Sequence, residues 1–209
     1  NRGEIAVRII KAAKELGLKT VAVYSEVDKN APHVKTAHKS IKIGESPADE
    51  SYLSISKLIN IAKKEKVGAI HPGYGFLSEN ADFAKACREE NIVFIGPNTQ
   101  TIRKMGNKAE AKTLVSKLGI PCIEGAELRT DDTTEAINIA KKVGYPLMIK
   151  ATEGGGGKGI RLVEKESDLK NAISLAKSEA LNAFGSGALI LEQAIISPRH
   201  LEIQILGDI

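Results

Sequence analysis

Apolar residues fall on one helical face in six stretches of the chain. Ile5, Ile9, Ala12, Ala13 and Leu16 form the first, with Gly17 as a stop; Ile55, Leu58, Ile59 and Ala62 form the second. Phe83, Ala84 and Cys87 mark a third, Ala111, Leu114, Val115 and Leu118 a fourth, and Ala136, Ile139, Ala140 and Val143 a fifth, ended by Gly144. Leu169, Ile173, Ala176 and Ala180 predict a longer helix with 4-3-4 spacing. Between these lie short apolar runs that read as strands: Thr20–Tyr24, Ile41–Ile43, Val67–Ile70, Ile92–Gly96, Pro146–Ile149, Ile160–Val163 and Ala188–Glu192. Leu201 to Leu206 alternates cleanly and predicts a strand with one wet face. Asp28 to Pro32 reads as a loop.

Up to Gly96 the strands alternate with helices. This predicts an α/β domain with a parallel sheet, whose ligands collect beyond the carboxyl ends of the strands. A doubly wound domain places a strand before its first helix, yet the first helix here follows directly on Asn1-Arg2-Gly3-Glu4. With no initiator Met and an end at Gly207-Asp208-Ile209, both termini read as cut. Gly119-Ile120-Pro121 reads as a domain boundary. The expected division is a nucleotide-fold domain over 1–104, a helical linker over 105–125, an α+β lid over 126–196 and the first strand of a further lobe over 197–209.

Composition narrows the function without naming it. The 209 residues carry a net charge of +4 with dispersed lysines, 4% aromatics and no Trp, so a nucleic-acid-binding surface is not expected. No apolar run approaches the ~18 residues of a membrane span, and no signal peptide is visible. Cys87 and Cys122 lack metal-ligand spacing and read as two buried thiols in a reducing compartment.

The chemistry concentrates in Ile149-Lys150-Ala151-Thr152-Glu153-Gly154-Gly155-Gly156-Gly157-Lys158-Gly159-Ile160. Two strands joined by a glycine run form a flap whose N–H groups can close over an anion. Each glycine costs roughly 0.5–1 kcal/mol relative to Ala, more than a plain hairpin turn requires. Gly154-x-Gly156-x-x-Gly159 matches the dinucleotide pattern by letter, but a strand rather than a helix follows. Lys158-Gly159 lacks the Ser or Thr of a Walker loop. A glycine flap preceded by a lysine is instead the device with which ATP-grasp folds cover phosphates.

Other positions are candidates. His71-Pro72-Gly73-Tyr74-Gly75-Phe76-Leu77-Ser78-Glu79-Asn80 sits at a strand's carboxyl end, with Ser78 or Asn80 as N-cap. His71 reads equally as a satisfied half-buried histidine, and Phe76 as a core residue. Asn107 predicts an N-cap, which puts Lys108 in a first turn against the helix dipole. Glu192, at the end of an apolar strand, could receive ribose hydroxyls or an adenine amino group, or be a solvent-facing terminus. Arg8, Lys11 and Glu15 share a helix face, solvated or in a subunit contact.

Taken together, Asn1 to Ala6, His71 to Asn80, Met105 to Lys108, Ile149 to Gly159 and Pro198 to Gln204 resemble biotin carboxylase. This is the ATP-grasp component of acetyl-, propionyl-, methylcrotonyl- and pyruvate carboxylases, and the resemblance covers the amino-terminal half of such a protein. It implies a pre-ATP-grasp domain, then an ATP-grasp lid and the start of its catalytic lobe. The implied reaction makes carboxyphosphate from ATP and bicarbonate, then carboxylates biotin on a carrier domain. Lys108 and Lys150 would be the phosphate lysines, Gly156 and Gly157 the flap amides, and Glu192, Gln193, Ala194 and Ile195 the adenine hinge, with His200 a nearby nucleotide contact. Tyr74 and Gly75 would border the biotin site, and Arg8, Lys11 and Glu15 a homodimer contact.

The resemblance further implies Mg2+ or Mn2+, a carboxyltransferase component, and a bacterial cytoplasmic or mitochondrial-matrix location rather than secretion. Gln193 stands where the family usually has Lys, and Asn107 where it usually has Asp. The family's metal carboxylates, bicarbonate-holding basic residues and biotin-site arginine lie beyond Ile209, so the 209 residues alone are expected to be inactive. Another ATP-grasp ligase of the carbamoyl phosphate synthetase kind is the alternative, and a nucleotide-binding module without catalysis a third reading.

Overall fold

The computed structural model describes residues 1–128, 133–152 and 159–207. They form two compact units, Asn1–Gly106 and Asn107–Ile209.

The first unit runs α1 (Gly3–Glu15), β1 (Val21–Ser25), a 3-10 turn (Glu26–Asp28), α2 (Pro32–Thr36), β2 (Lys39–Gly44), α3 (Ile55–Lys64), β3 (Ala69–Ile70), α4 (Ala81–Glu89), β4 (Val93–Phe94) and α5 (Thr99–Gly106). The stretch read as a loop at 28–32 is turn and bend over 29–31, with Asp28 ending the 3-10 turn and Pro32 beginning α2. Pro32 opens that helix because its missing N–H is one the first turn leaves unbonded. Helix α5 carried no clear periodic signal; Asn98 begins it by accepting the Thr101 N–H at 2.9 Å.

The strands pair in parallel as expected, but as two ladders, β1 with β2 and β3 with β4, rather than one continuous sheet. A cavity of about 900 Å³ is lined by Ile5, Ala6 and Ile9 of α1, Val21 and Val23 of β1, and Ile70 of β3. Ile59, Ala62, Leu77, Phe83, Cys87 and Ile92 form the core of α3, α4 and their strands. Cys87 is fully buried, whereas Cys122 is only partly so, which corrects the expectation of two buried thiols.

The second unit runs α6 (Lys108–Lys117), β5 (Gly125–Leu128), α7 (Thr133–Val143), β6 (Leu147–Ala151), β7 (Arg161–Val163), α8 (Glu166–Phe184) and β8 (Leu189–Gln193). Its four strands form an antiparallel sheet in the order β5-β8-β6-β7. Strand β5 is too short and too poor in β-branched residues to be read from sequence. Gly125 opens it where a Cβ would lie 2.5 Å from the Leu191 carbonyl oxygen, so only glycine permits the approach.

The sheet has two distinct faces. Leu147, Ile149 and Ala151 of β6 and Leu189 and Leu191 of β8 join Ala136, Ala140, Leu169, Ala176 and Ala180 of the helices in one core. Each large apolar side chain buried there contributes about 1.5–3 kcal/mol. Side chains alternate along a strand, so Met148, Lys150, Ile190 and Glu192 lie on the opposite face.

Leu201 to Leu206 is not a strand. These residues are exposed, with Leu206 at 97%, and among the described residues none pairs with them. Alternation sets which side chains could face a core, but a strand forms only against a partner's backbone.

Asn107 caps α6 by accepting the N–H groups of Ala109 and Glu110, both at 3.0 Å. Asn107→Ala is expected to cost about 1 kcal/mol, while Asn107→Asp stays within a few tenths. Urea unfolding followed by circular dichroism checks both, and equal losses in the two variants would remove the capping role.

Candidate functional site

Lys150 stands on β6 and Glu192 on β8, where Met148 pairs with Glu192 and Lys150 with Ile190. The two charged residues are therefore diagonal neighbours on one face. The Lys150 ammonium donates to Glu192 Oε2 at 2.9 Å. A second cation, unremarked in the sequence, completes the group: Lys112 of α6 donates to Glu192 Oε1 at 3.1 Å. The Glu192 side chain is only 13% exposed, so it is not a solvent-facing strand terminus. Burial pushes its carboxyl pKa up, but the hydrogen bonds and charges of Lys150 and Lys112 outweigh this and hold it below the ordinary carboxylate range.

Helix α6 is tied to the end of β6. The Lys108 N–H donates to the Thr152 carbonyl at 3.4 Å. Thr152 is itself fixed on β8's entry, its N–H and hydroxyl both donating to the Ala188 carbonyl at 3.0 and 3.2 Å. Lys108 and Lys112 are four residues apart and share one face of α6. Two lysines and one carboxylate thus converge on this sheet face, with the backbone of Lys108 tied to the end of β6. Gly156 and Gly157, with Lys158, lie outside the described residues. At the far end of the hairpin, the Ala151 N–H donates to the Gly159 carbonyl at 3.1 Å.

Beyond Glu192 the backbone is anchored rather than open. The Gln193 N–H donates to the Glu124 carbonyl at 2.9 Å and the Ala194 N–H to that of Pro146 at 3.0 Å. Ile195 is exposed. His200 is not drawn into the cluster: its exposed ring lies 3.2 Å from Glu202 Oε1.

In the first unit the loop after β3 turns tightly. Gly73 has φ +69°, and a Cβ there would meet the Asn1 side chain at 3.0 Å; that side chain donates to the Pro72 carbonyl at 3.0 Å. Gly75 also has positive φ. Tyr74 is exposed, its hydroxyl 3.3 Å from Glu4 Oε2. His71 accepts the Gly73 N–H on Nδ1 at 3.0 Å, and partial burial lowers its pKa. Phe76 is not a core residue: at 39% exposure it stacks on Tyr52 with ring centroids 5.1 Å apart, and Arg2 lies 6.0 Å from each ring. Tyr52 donates to Asp28 at 2.7 Å and accepts the Ser25 N–H, while Arg2 pairs with Asp28 at 3.0 Å. Asn80, not Ser78, caps α4. Arg8, Lys11 and Glu15 are exposed on α1. Among the described residues no group of three or more His, Cys, Asp or Glu could hold a metal ion, and no helix is long and apolar enough to cross a membrane.

The chain is similar to known proteins along its whole length. Residues 1–102 match the sequence family "Biotin carboxylase, N-terminal domain", and 107–209 match "Carbamoyl-phosphate synthase L chain, ATP binding domain". Biotin carboxylase 2 of Bacillus subtilis is 50% identical over 208 residues, covering 100% of this chain and 47% of the relative. The mitochondrial methylcrotonoyl-CoA carboxylase subunit alpha of Dictyostelium discoideum is 49% identical over 208 residues, covering 30% of its own length. Relatives include bacterial, mitochondrial and chloroplastic proteins.

Among solved structures, a biotin carboxylase–β-γ-ATP complex from Campylobacter jejuni superposes with a TM-score of 0.91 at 45% identity, over 95% of this chain and 45% of the other. The biotin carboxylase domain dimer of Hydrogenobacter thermophilus 2-oxoglutarate carboxylase, with MgADP, ADP and bicarbonate, gives 0.89 at 46% identity, over 93% and 43%. The chain spans about half the length of the curated biotin carboxylases it matches. With its full length aligned to these proteins and both units matching their folds, the chain belongs to the biotin carboxylase family.

Proposed function

We propose that this chain forms the nucleotide-holding part of a biotin-dependent carboxylase. That enzyme uses ATP and bicarbonate to make carboxyphosphate and ADP, then carboxylates biotin on a carrier domain. One observation carries the reading: Lys150 and Glu192 lie side by side on the sheet face opposite the apolar core, beside α6, on the strand that leads into the glycine run. An ammonium at that place is suited to a phosphate, and each charge-assisted contact is worth about 1.5–3 kcal/mol. Lys150 and Lys108 are assigned to the phosphates, with Gly156 and Gly157 as amide donors above them. Glu192, Gln193, Ala194 and Ile195 follow as the adenine and ribose hinge, and His200 as a further nucleotide contact.

Tyr74 and Gly75 are assigned to the biotin side. The exposed row Arg8, Lys11 and Glu15 on α1 is assigned to a homodimer contact. The partners of the whole protein are a biotin carboxyl carrier domain and a carboxyltransferase, in a bacterial cytoplasm or an organelle.

The described residues do not fit a magnesium site. Glu192, the carboxylate nearest Lys150 in the cluster, is already neutralised by two ammonium groups, and no second carboxylate joins it. Magnesium bridges phosphates through carboxylate oxygens, so no step is assigned to a metal held by this part of the chain.

The match of 107–209 to the carbamoyl-phosphate synthase ATP-binding family supports a second reading, an ATP-grasp ligase that ignores biotin. The test is ADP release and fixation of labelled bicarbonate by the carboxylase carrying this chain, with and without free biotin. Biotin-stimulated ADP release with label appearing in biotin is expected. Bicarbonate-dependent ADP release indifferent to biotin would overturn it in favour of the second reading.

A further inference from the structure

Lys112 has no place in the roles assigned above, yet its ammonium is held as firmly as that of Lys150. Its side chain is only 22% exposed, and it takes Glu192 Oε1 while Lys150 takes Oε2. The two lysines therefore do not compete for the same oxygen, and either can leave without breaking the other's contact. The partners are 80 residues apart in sequence, so this is a tertiary arrangement and not an intrahelical pair.

The charge count makes the second lysine meaningful. A Lys150–Glu192 pair alone would be neutral. Moving Lys150 onto a phosphate would then strip a mostly buried carboxylate of its sole cation, beside an incoming polyanion. An uncompensated buried charge is costly, and its repulsion of the phosphates would add to that cost. With Lys112 on the other oxygen the carboxylate keeps a counter-ion, and the cluster of three carries one net positive charge for the ligand.

We propose that Lys112 is a positioning residue for nucleoside-phosphate binding: it stays on Glu192 as the retained counter-ion and so frees Lys150 for a phosphate. The proposal rests on the nucleotide reading of this unit. Position in the fold supports it. The Lys108 N–H, one helical turn before Lys112, donates to the Thr152 carbonyl, so the amino-terminal end of α6 is tied to the end of β6, within a turn of Lys112.

The test uses Lys112→Met, which keeps the length of the stem and removes the charge, in the carboxylase carrying this chain. The KM for MgATP and the Kd for ADP are expected to rise by about 10-fold, with kcat changed less than about twofold. Lys112→Arg should restore most of the loss. In a Glu192→Gln background, Lys112→Met should add little, because the charge it compensates is gone. A melting temperature for each variant separates loss of fold from loss of binding, and a Lys112→Met effect matched by general unfolding would overturn the proposal. Unchanged nucleotide constants in Lys112→Met would also overturn it, as would an equal loss in the Glu192→Gln background. If the unmutated enzyme binds no ADP, the nucleotide reading fails and the proposal with it; if it binds ADP and Lys112→Met does too with equal affinity, only the proposal fails.

Discussion

Lys150→Met is expected to lower kcat/KM for MgATP by about 100-fold in the carboxylase carrying this chain. The lysine is assigned a direct phosphate contact, and a charge-assisted bond lost from a partly buried site is worth about 1.5–3 kcal/mol, or one to two decades in rate. The Lys150 side chain is 31% exposed, so water screens only part of that charge. The substitution leaves Glu192 still paired with Lys112, so the fold keeps its balance of charge and the loss falls on the ligand. That separates Lys150 from Lys112: the first is assigned to the phosphate itself, the second acts through the carboxylate. Steady-state ADP release at varied MgATP reads the effect. Wild-type kinetics in Lys150→Met would remove the residue from the site, and with it the main support for reading this sheet face as a phosphate cradle.

Leu191→Ala is expected to destabilise the second unit by about 3 kcal/mol, lowering its melting transition by more than about 10 °C. Leu191 is fully buried in the core of α7, α8 and the sheet, and its backbone pairs with Ile149 on one side and Ala126 on the other. Truncation leaves a cavity between two paired strands that collapse cannot readily fill. Leu162→Ala is the control. It replaces the same side chain on β7, where 47% of the residue is exposed, and should cost about 1 kcal/mol or less. Similar losses from the two variants in thermal unfolding would mean that the buried face is misassigned. The stakes reach the site, because Leu191 and Glu192 are consecutive. Pinning Leu191 in the core directs Glu192 to the opposite face, and a one-residue slip of β8 would exchange them.

Much of the fold was legible because helical periodicity is a local property. Leu169, Ala176 and Ala180 are spaced to meet a surface on one side of α8 and do so, with Gly185 ending the helix in the left-handed conformation. Asn107 before Lys108 marked the start of α6 for the same local reason, an amide side chain that satisfies first-turn N–H groups. Where the sequence misled, the deciding partner was distant. Phe76 has the composition of a core residue, but its loop leaves it stacked on Tyr52 at the surface. Strand β5 exists because β8 presents an edge to it, not because Gly125 to Leu128 prefers extension.

Residue order alone was enough for most of the helices and strands, α5 and β5 excepted, for the glycine run between two strands, the cap of α6 and the family, since these depend on residue spacing within a turn or a hairpin. Which cations meet which carboxylate was settled by packing. Lys150 lies 42 residues and Lys112 80 residues from Glu192, and no local spacing encodes either distance. Sheet register brings Lys150 to Oε2, and the docking of α6 against Thr152 brings Lys112 to Oε1. It also decided that Leu201 to Leu206, alternating as a strand should, is none here: side-chain pattern is written in the chain, but the hydrogen-bonding partner that makes a strand is supplied by another segment.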